Sequence, residues 1–321
     1  MGSSSHLAQK PQIRLVLASP RGFCAGVERA IRIVELALQK FGPPVFVRHA
    51  IVHNVHVVER LARLGAVFVD ELDAVPDGGT VIFSAHGVSK AVSGGALSRN
   101  LRILDATCPL VSKVHAEVER HHAAGRHVLL IGHAGHPEVE GTIGQLPPGA
   151  VTLIEGQDDA AAFIPSDPER LAYATQTTLS IDDAQDIANA LQARFPNIQG
   201  PRKQDVCYAT TNRQQAVKNV AARTDVVLII GSRSSSNALR LVEAARRCGA
   251  HQAVLIDSAD DIDWASMANA GSVALSAGAS TPESLVREVV EAFRARYEVT
   301  VEQADSARED VIFNVPRALA G

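Results

Sequence analysis

Three of the four cysteines lie far apart in the sequence, each beside a turn that precedes a helical pattern: Cys24, Cys108 and Cys207. Thiolates near helix N-termini have depressed pKa values and are good soft ligands, which favours an iron-sulfur cluster, copper(I) or zinc. Three ligands to a four-iron cluster would leave one iron free to bind a substrate. Cys248 lies within a helical run, and we expect it to be a buried small hydrophobic residue.

Polar turns follow most of the β-branched runs that we read as strands. In open parallel sheets, ligands bind outside the carboxyl ends of the strands, where helix N-termini present free N–H groups. The hydroxyls and histidines of these turns therefore predict a phosphate or diphosphate cleft, although N-capping by Ser and Thr explains any single turn equally well. The turns are 19–26, 84–87, 105–109, 132–138, 175–178, 231–237 and 276–280.

One of these turns carries an imidazole and a carboxylate two residues apart, His136 and Glu138. Such a pair can pass protons to a bound substrate, although a solvated loop has the same spacing. The nucleotide-binding motifs G-x-G-x-x-G and G-x-x-x-x-G-K-[ST] and the hydrolase motif G-x-S-x-G are absent. Nucleotide-cofactor and serine-hydrolase activities therefore lose their usual sequence support.

The composition is that of an ordinary globular protein. The 321 residues are 46% hydrophobic and 21% charged, with a net charge of −4, which argues against disorder and against general binding to nucleic acid or anionic membranes. No apolar run approaches the ~18 residues that span a bilayer, and no signal peptide is visible, so we expect a cytoplasmic protein with no membrane partner. Met1 to His6 resembles the remnant of an expression tag.

Strand and helix patterns alternate along the chain, which predicts an α/β fold with parallel sheets. The expected strands are 13–18, 81–84, 102–106, 127–132, 172–175, 226–231, 253–257 and 273–276, with a late strand at 311–315. The expected helices are 27–41, 109–124, 182–195, 212–223, 237–248 and 282–297, the last with Thr281 as N-cap. Breaks near 108–109 and 195–203 suggest lobes at 13–108, 109–203 and 204–296, with a tail at 297–321 that returns to the body.

Several of these segments match a known family closely. They include PRGFCAGV at 20–27, FSAHGVS at 83–89, DATCPLV at 105–111 and GHAGHPEVEG at 132–141, with further matches at 52–54, 175–180, 205–214 and 277–280. From about residue 13 to residue 316, the chain resembles the 4-hydroxy-3-methylbut-2-enyl diphosphate reductase (IspH/LytB) family. The resemblance implies three similar α/β lobes arranged as a trefoil around a central iron-sulfur site.

The resemblance also implies a reaction, the last step of the non-mevalonate isoprenoid pathway. An allylic hydroxyl is removed by two-electron reduction, which gives isopentenyl and dimethylallyl diphosphates, with ferredoxin or flavodoxin as the electron donor. By the family's pattern, Cys24, Cys108 and Cys207 hold an oxygen-sensitive 4Fe-4S cluster that becomes 3Fe-4S when its apical iron is lost. The diphosphate ligands would be His53, His86, His136, Ser235, Ser236, Asn237 and Ser280, with Thr177 at the substrate hydroxyl, Glu138 as the proton donor and His136 beside it.

The turns lack a cluster of lysines and arginines, so we expect helix termini, hydroxyls and protonated histidines to carry the diphosphate charge. Two alternatives from other classes remain at this point. One is a non-catalytic iron-sulfur sensor of oxygen, against which the polar turns argue because a sensor needs no anion cleft. The other is a zinc-dependent hydrolase built on the same cysteines.

Overall fold

The computed structural model describes residues 10–319, so the suspected tag at Met1 to His6 lies outside the described residues. The described chain forms three sheets in which every named strand pairing is parallel, and helices cover the sheet faces. The α/β class predicted from the sequence is therefore confirmed. No helix within residues 10–319 combines the length and the apolar character needed to cross a membrane.

The strands are β1 Gln12–Ser19, β2 Val45–Arg48, β3 Ala66–Val69, β4 Thr80–Phe83, β5 Arg102–Asp105, β6 His127–Ile131, β7 Val151–Ile154, β8 Leu171–Thr175, β9 Val226–Ile230, β10 Gln252–Ile256, β11 Ser272–Ala277 and β12 Glu298–Asp305. The α-helices are α1 Ala25–Phe41, α2 Val55–Arg63, α3 Lys90–Ser98, α4 Pro109–Ala123, α5 Pro137–Ile143, α6 Gln157–Ala162, α7 Ile181–Arg194, α8 Tyr208–Ala221, α9 Ser236–Arg247, α10 Trp264–Met267 and α11 Glu283–Arg296. Short 3₁₀ turns cover Leu72–Ala74 and Ala259–Asp261.

One compact unit, the five-stranded unit, contains the described residues up to Gly22 together with Asn212–Glu309. Its sheet has the order β10-β9-β11-β1-β12. Successive residues of β1 point to opposite faces, so Leu15 and Leu17 pack with α11 whereas Val16 and Ala18 pack with α8 and α9. Burial on both faces explains why these strands are continuous apolar runs.

The other compact unit, the two-sheet unit, contains Phe23–Thr211 and the described residues from Asp310 onward. Its sheets have the orders β3-β2-β4-β5 and β7-β6-β8. Helices α1 and α2 pack on one face of the four-stranded sheet and α3 on the other. Helices α4 and α7 cover opposite faces of the three-stranded sheet. The carboxyl ends of these strands lead into the turns with the candidate site residues.

The first helix shows how the sequence pattern sets an element. Val27, Ile31 and Val34 fall on one face and are buried, and the helix ends at Gly42, whose φ of 73° suits glycine. Cys24 occupies the N-cap position with extended backbone. The thiol is therefore placed at the helix N-terminus, as the sequence predicted.

Three details differ from the sequence-based expectations. The predicted strand at 311–315 is wrong, because those residues form no strand and the late strand is β12, which pairs with β1. Helix α11 begins at Glu283 with Pro282 as its N-cap, one position later than expected. Helix α8 spans Tyr208–Ala221 rather than the expected 212–223. The lobe boundaries at 13–108, 109–203, 204–296 and 297–321 stay a prediction.

Candidate active site

The three distant cysteines meet within the two-sheet unit. A Cβ atom added at Gly26 would lie 2.7 Å from the Cys108 sulfur and 3.8 Å from the Cys24 sulfur, so the two thiols flank one point. Cys108 and Cys207 each interact electrostatically with Cys24, and Cys108 also interacts with Cys207. Any side chain at Gly26 would fill the space between the sulfurs, which is a reason for glycine at this position.

Burial dominates the ionisation of these thiols. It raises the pKa of Cys108 to about 12, against the opposing effect of the Leu110 and Val111 N–H groups at the start of α4. It raises the pKa of Cys207 to about 11, against hydrogen bonds from Thr210. The sequence-based expectation of depressed pKa values is therefore wrong for these two thiols, because desolvation outweighs the helix N-terminus.

The residues present fit a cluster better than a single ion. All four cysteines are free thiols, and Cys24, Cys108 and Cys207 are half-buried and close enough to interact electrostatically. Within residues 10–319, no group of three or more His, Cys, Asp or Glu side chains lies close enough to hold one metal ion. A zinc ion needs sulfurs at about 2.3 Å, whereas a four-iron cluster spans a wider space. Cys248 is separate, since it packs against the core of the five-stranded unit.

Three histidines form a second cluster in the two-sheet unit. The ring centroids of His53 and His86 lie 4.2 Å apart, and His136 lies 5.3 Å from His53 and 5.7 Å from His86. The turns that carry His53 and His86 are joined because the Ala85 N–H donates to the Ile51 carbonyl. The cluster therefore unites turns that follow β2, β4 and β6.

These imidazoles are neutral in the free protein. Burial lowers the pKa of His53, and it lowers the pKa of His136 to about 3. The pKa of His86 is well below its usual value, because this ring is buried and lies beside His53 and His136. The expected protonation of these histidines concerns the protein with diphosphate bound, and it stays a prediction. The buried Nε2 of His136 has no hydrogen-bond partner within the described chain, which is a reason to expect that a ligand binds here.

Glu138 lies at the start of α5 and is 2% exposed. The Nδ1 atom of His136 caps this helix by accepting from the Glu138 N–H at 3.1 Å. The Glu138 carboxyl accepts from the Thr177 N–H at 2.6 Å and from the Thr177 hydroxyl at 2.8 Å. Burial raises the pKa of Glu138 to about 7, against those two hydrogen bonds. At neutral pH this side chain can therefore both hold and release a proton.

Backbone hydrogen bonds link the acid, the histidines and the thiols. The Cys207 N–H donates to the Thr177 carbonyl at 3.0 Å, and the Cys108 N–H donates to the carbonyl of Ala85, next to His86, at 3.0 Å. Cys207 also interacts electrostatically with Glu138. The structure thus brings eight of the twelve predicted site residues together in the two-sheet unit: Cys24, Cys108, Cys207, His53, His86, His136, Glu138 and Thr177.

The remaining predicted site residues lie in the five-stranded unit, in the turns that follow β9 and β11. Ser235 caps α9 by accepting from the Ala238 N–H, and Asn237 accepts from the Ala279 N–H at 2.9 Å through its side-chain oxygen. The Asn237 contact joins the turn of Ser235, Ser236 and Asn237 to the turn of Ser280. All four side chains are buried in the described protein.

Sequence reasoning assigned no role to Asp205. Its side chain is buried, accepts from the Thr175 N–H at 3.1 Å and pairs with Lys113 at 3.1 Å. The only signal in the sequence is its position two residues before Cys207. A contact with Lys113, 92 positions away, cannot be found by local pattern.

Comparison with known proteins gives a family match over most of the chain. The model of the family described as LytB protein matches residues 15–294. The chain belongs to the LytB family. A LytB relative from Hyphomonas neptunium is 61% identical and one from Phenylobacterium zucineum is 59% identical, each over 98% of this chain and 100% of the relative. Both carry the name 4-hydroxy-3-methylbut-2-enyl diphosphate reductase.

Solved LytB-family structures agree with this assignment. The E-1-hydroxy-2-methyl-but-2-enyl-4-diphosphate reductase from Plasmodium falciparum matches with a TM-score of 0.91 and 37% identity, over 97% of each chain. A structure described as (E)-4-hydroxy-3-methyl-but-2-enyl diphosphate reductase, the terminal enzyme of the non-mevalonate pathway, matches with a TM-score of 0.62 and 30% identity. That match covers 88% of this chain and 99% of the solved one.

Proposed function

We propose that this LytB-family protein reduces 4-hydroxy-3-methylbut-2-enyl diphosphate to isopentenyl and dimethylallyl diphosphates. The reaction takes up two electrons and two protons, breaks the allylic C–O bond and releases one water molecule. The observation that carries the proposal is the buried Glu138, whose pKa lies near 7 and whose partner Thr177 is hydrogen-bonded to the backbone of Cys207. A proton donor is thereby held beside a set of soft thiols.

Cys24, Cys108 and Cys207 would hold a 4Fe-4S cluster, which supplies single electrons and a Lewis-acidic iron when it is bound. The electrostatic interactions among the three thiols and the space that Gly26 leaves beside the Cys24 and Cys108 sulfurs support this assignment. Binding of a metal centre would also remove the protons that burial keeps on Cys108 and Cys207, because a coordinating thiol is deprotonated.

The imidazoles of His53, His86 and His136 would bind the diphosphate. Their mutual contacts and the unsatisfied Nε2 of His136 support this role, because a buried ring nitrogen without a partner is costly until a ligand accepts or donates a hydrogen bond. An arriving dianion would raise the pKa of these rings and draw protons onto them. The family resemblance assigns the same role to Ser235, Ser236, Asn237 and Ser280.

Thr177 would contact the substrate hydroxyl, and Glu138 would protonate it as it leaves. The Thr177 hydroxyl donates to the carboxylate form of Glu138, so one threonine orients both the acid and the group that receives its proton. The resulting allyl anion is then protonated at one end or the other, which accounts for two products. Ferredoxin or flavodoxin would supply the electrons, and a cytoplasmic location stays a prediction.

The test is anaerobic turnover of the iron-reconstituted protein with a dithionite-reduced mediator and the allylic diphosphate, with both C5 diphosphates quantified. We expect both products, with the rate lost in Glu138→Gln. A protein that binds iron and sulfide but forms neither product would support the oxygen-sensor alternative. Zinc in place of iron after anaerobic purification, with no reduced product, would support the hydrolase alternative.

A further inference from the structure

A basic side chain lies five or six positions after each candidate ligand cysteine: Arg29, Lys113 and Arg213. Each occupies the helix that begins at or next to that cysteine, α1, α4 or α8. Each donates hydrogen bonds to the chain just before a different ligand cysteine. The shared pattern indicates a common role for these three cations.

The guanidinium of Arg29 connects α1, which follows Cys24, to the turn that carries Cys108. Its Nη1 atom donates to the Thr107 carbonyl at 3.0 Å and its Nη2 atom to the Asp105 carbonyl at 3.3 Å. Its Nε atom donates to the Asn314 carbonyl at 2.8 Å. All three contacts are to main chain, so a single side chain fixes the backbone directly before Cys108.

The ammonium of Lys113 does the same for the turn that carries Cys207. It donates to the carbonyls of Lys203 at 2.8 Å and Gln204 at 3.0 Å, and to the Asp205 carboxylate at 3.1 Å. Asp205 is itself bound by the Thr175 N–H, so this contact also reaches β8. Lys113 thereby connects the helix after Cys108 to the chain that leads into Cys207.

Arg213 completes the pattern within the five-stranded unit. Its Nε atom donates to the Gly22 carbonyl at 2.9 Å, two residues before Cys24, and its Nη1 atom pairs with the Glu309 carboxylate at 2.9 Å. The side chain is fully buried. Within the two-sheet unit, the helix after Cys207 also reaches the start of α1, because the Ala25 N–H donates to the Tyr208 hydroxyl at 3.3 Å.

We propose that Arg29, Lys113 and Arg213 are positioning residues that fix the three ligand turns at the spacing an iron-sulfur cluster requires. The inference rests on the proposed function, because it needs Cys24, Cys108 and Cys207 to be the ligands. Charge-assisted hydrogen bonds to the backbone restrict the ligand turns before the cluster binds, so less conformational freedom is lost when it does. Partners that orient metal ligands are as much a part of such sites as the ligands.

The positive charge of these side chains should affect the midpoint potential of the cluster, which a purely structural contact would leave unchanged. Arg29 interacts electrostatically with Cys108, so a positive charge is felt at a ligand sulfur. A cation near an anionic cluster stabilises the reduced form and raises the reduction potential. Loss of this charge should therefore lower the midpoint potential as well as weaken cluster retention.

The test uses the anaerobically reconstituted full chain and compares Arg29→Met, Arg29→Lys and Lys113→Met with the wild type. Arg32→Met is the matched control, since Arg32 is an exposed cation of the same helix as Arg29. We measure the rate of iron release to a chelator, the EPR spectrum of the reduced cluster and its midpoint potential. The methionine variants should release iron about 10-fold faster, with a lower potential and an altered spectrum.

Arg29→Lys should fall between the wild type and Arg29→Met, because an ammonium keeps the charge but has all its donors on one nitrogen, whereas three separate guanidinium nitrogens reach the three carbonyls here. Circular dichroism checks that each variant is folded. If Arg29→Met does not fold, faster iron release from Arg29→Lys than from Arg32→Met supports the inference in its place. Iron release, potential and spectrum equal to those of Arg32→Met would overturn the inference. A wild type that takes up no cluster would instead overturn the proposed function.

Discussion

The Glu138→Gln variant removes the ionisable proton of the candidate acid but keeps its hydrogen-bonding geometry. A glutamine can still accept from the Thr177 N–H and can donate to the Thr177 hydroxyl, so both hydrogen bonds of the wild type have a counterpart. What the variant loses is a proton that the wild type releases near pH 7. Since a positioned acid contributes about 10²- to 10⁴-fold, we expect kcat to fall at least about 100-fold.

The raised pKa of Glu138 also has a consequence for stability. Below pH 4.5 the carboxyl is protonated in the folded and unfolded chain alike. Between pH 4.5 and about 7 only the folded chain keeps the proton, so the free energy of unfolding falls as the pH rises. Above that range the folded chain bears the full cost of ionising the buried Glu138 carboxyl, which amounts to about 3 kcal/mol. Glu138→Gln has no such cost, so its stability relative to the wild type should rise by that amount across this interval.

Infrared spectroscopy measures the proton directly. The spectrum of the wild type minus that of Glu138→Gln should contain a carboxylic acid C=O band that disappears with a midpoint near pH 7. Glu140→Gln is the control, because Glu140 is an exposed carboxylate of the same helix. A midpoint near 4.5 would show that burial does not raise the pKa of Glu138, and a glutamine variant that keeps a tenth or more of the wild-type kcat would show that Glu138 is not the proton donor.

Three further results are expected. Serine at any one of the three proposed ligand positions should remove most of the bound iron and the brown absorbance, whereas Cys248→Ser should keep both; the reverse pattern would contradict the ligand assignment. His136→Ala should weaken substrate binding by about 10- to 100-fold. It should also reduce the proton uptake on binding, which calorimetry detects in buffers of different ionisation enthalpy, and His127→Gln is the control that should change neither quantity. Gly141→Ala should raise KM, because its Cβ would lie 3.2 Å from the carbonyl carbon of Gly87, which is next to His86. Gly94→Ala should leave KM unchanged, because a Cβ there would have no atom within 4 Å. Equal KM values for the two variants would show that the close approach of Gly141 to Gly87 does not shape the site.

The strands and helices that sequence reasoning found have a strong hydrophobic pattern. Strand β9 is a continuous apolar run that is buried on both faces, and α1 repeats its apolar residues along one helix face. The four-residue strands β2, β3 and β7 were missed because so short a run has little pattern of its own, whereas the equally short β4 and β5 are followed by the polar turns at 84–87 and 105–109. Strand β12 was missed for another reason, since it is a mostly exposed edge strand with charged residues.

The candidate site was predictable as residue types but not as electrostatics. Glycine-flanked cysteines and histidines after strands indicated the right turns, because parallel strands deliver their carboxyl ends to one edge. The pKa values of the Cys108 and Cys207 thiols were misjudged because they depend on burial, which the local sequence does not reveal. The contacts of Arg29 and Lys113 were also out of reach, since they join positions 78 and 90 residues apart.

In the proposed enzyme, three protein thiols hold four irons, one of which has no protein ligand. Mössbauer spectroscopy of protein reconstituted with iron-57 without oxygen, with and without the allylic diphosphate, distinguishes that iron from the other three. We predict one iron site distinct from the other three, whose signal changes when the diphosphate is added. Four equivalent irons, or a spectrum that the diphosphate leaves unchanged, would contradict the account.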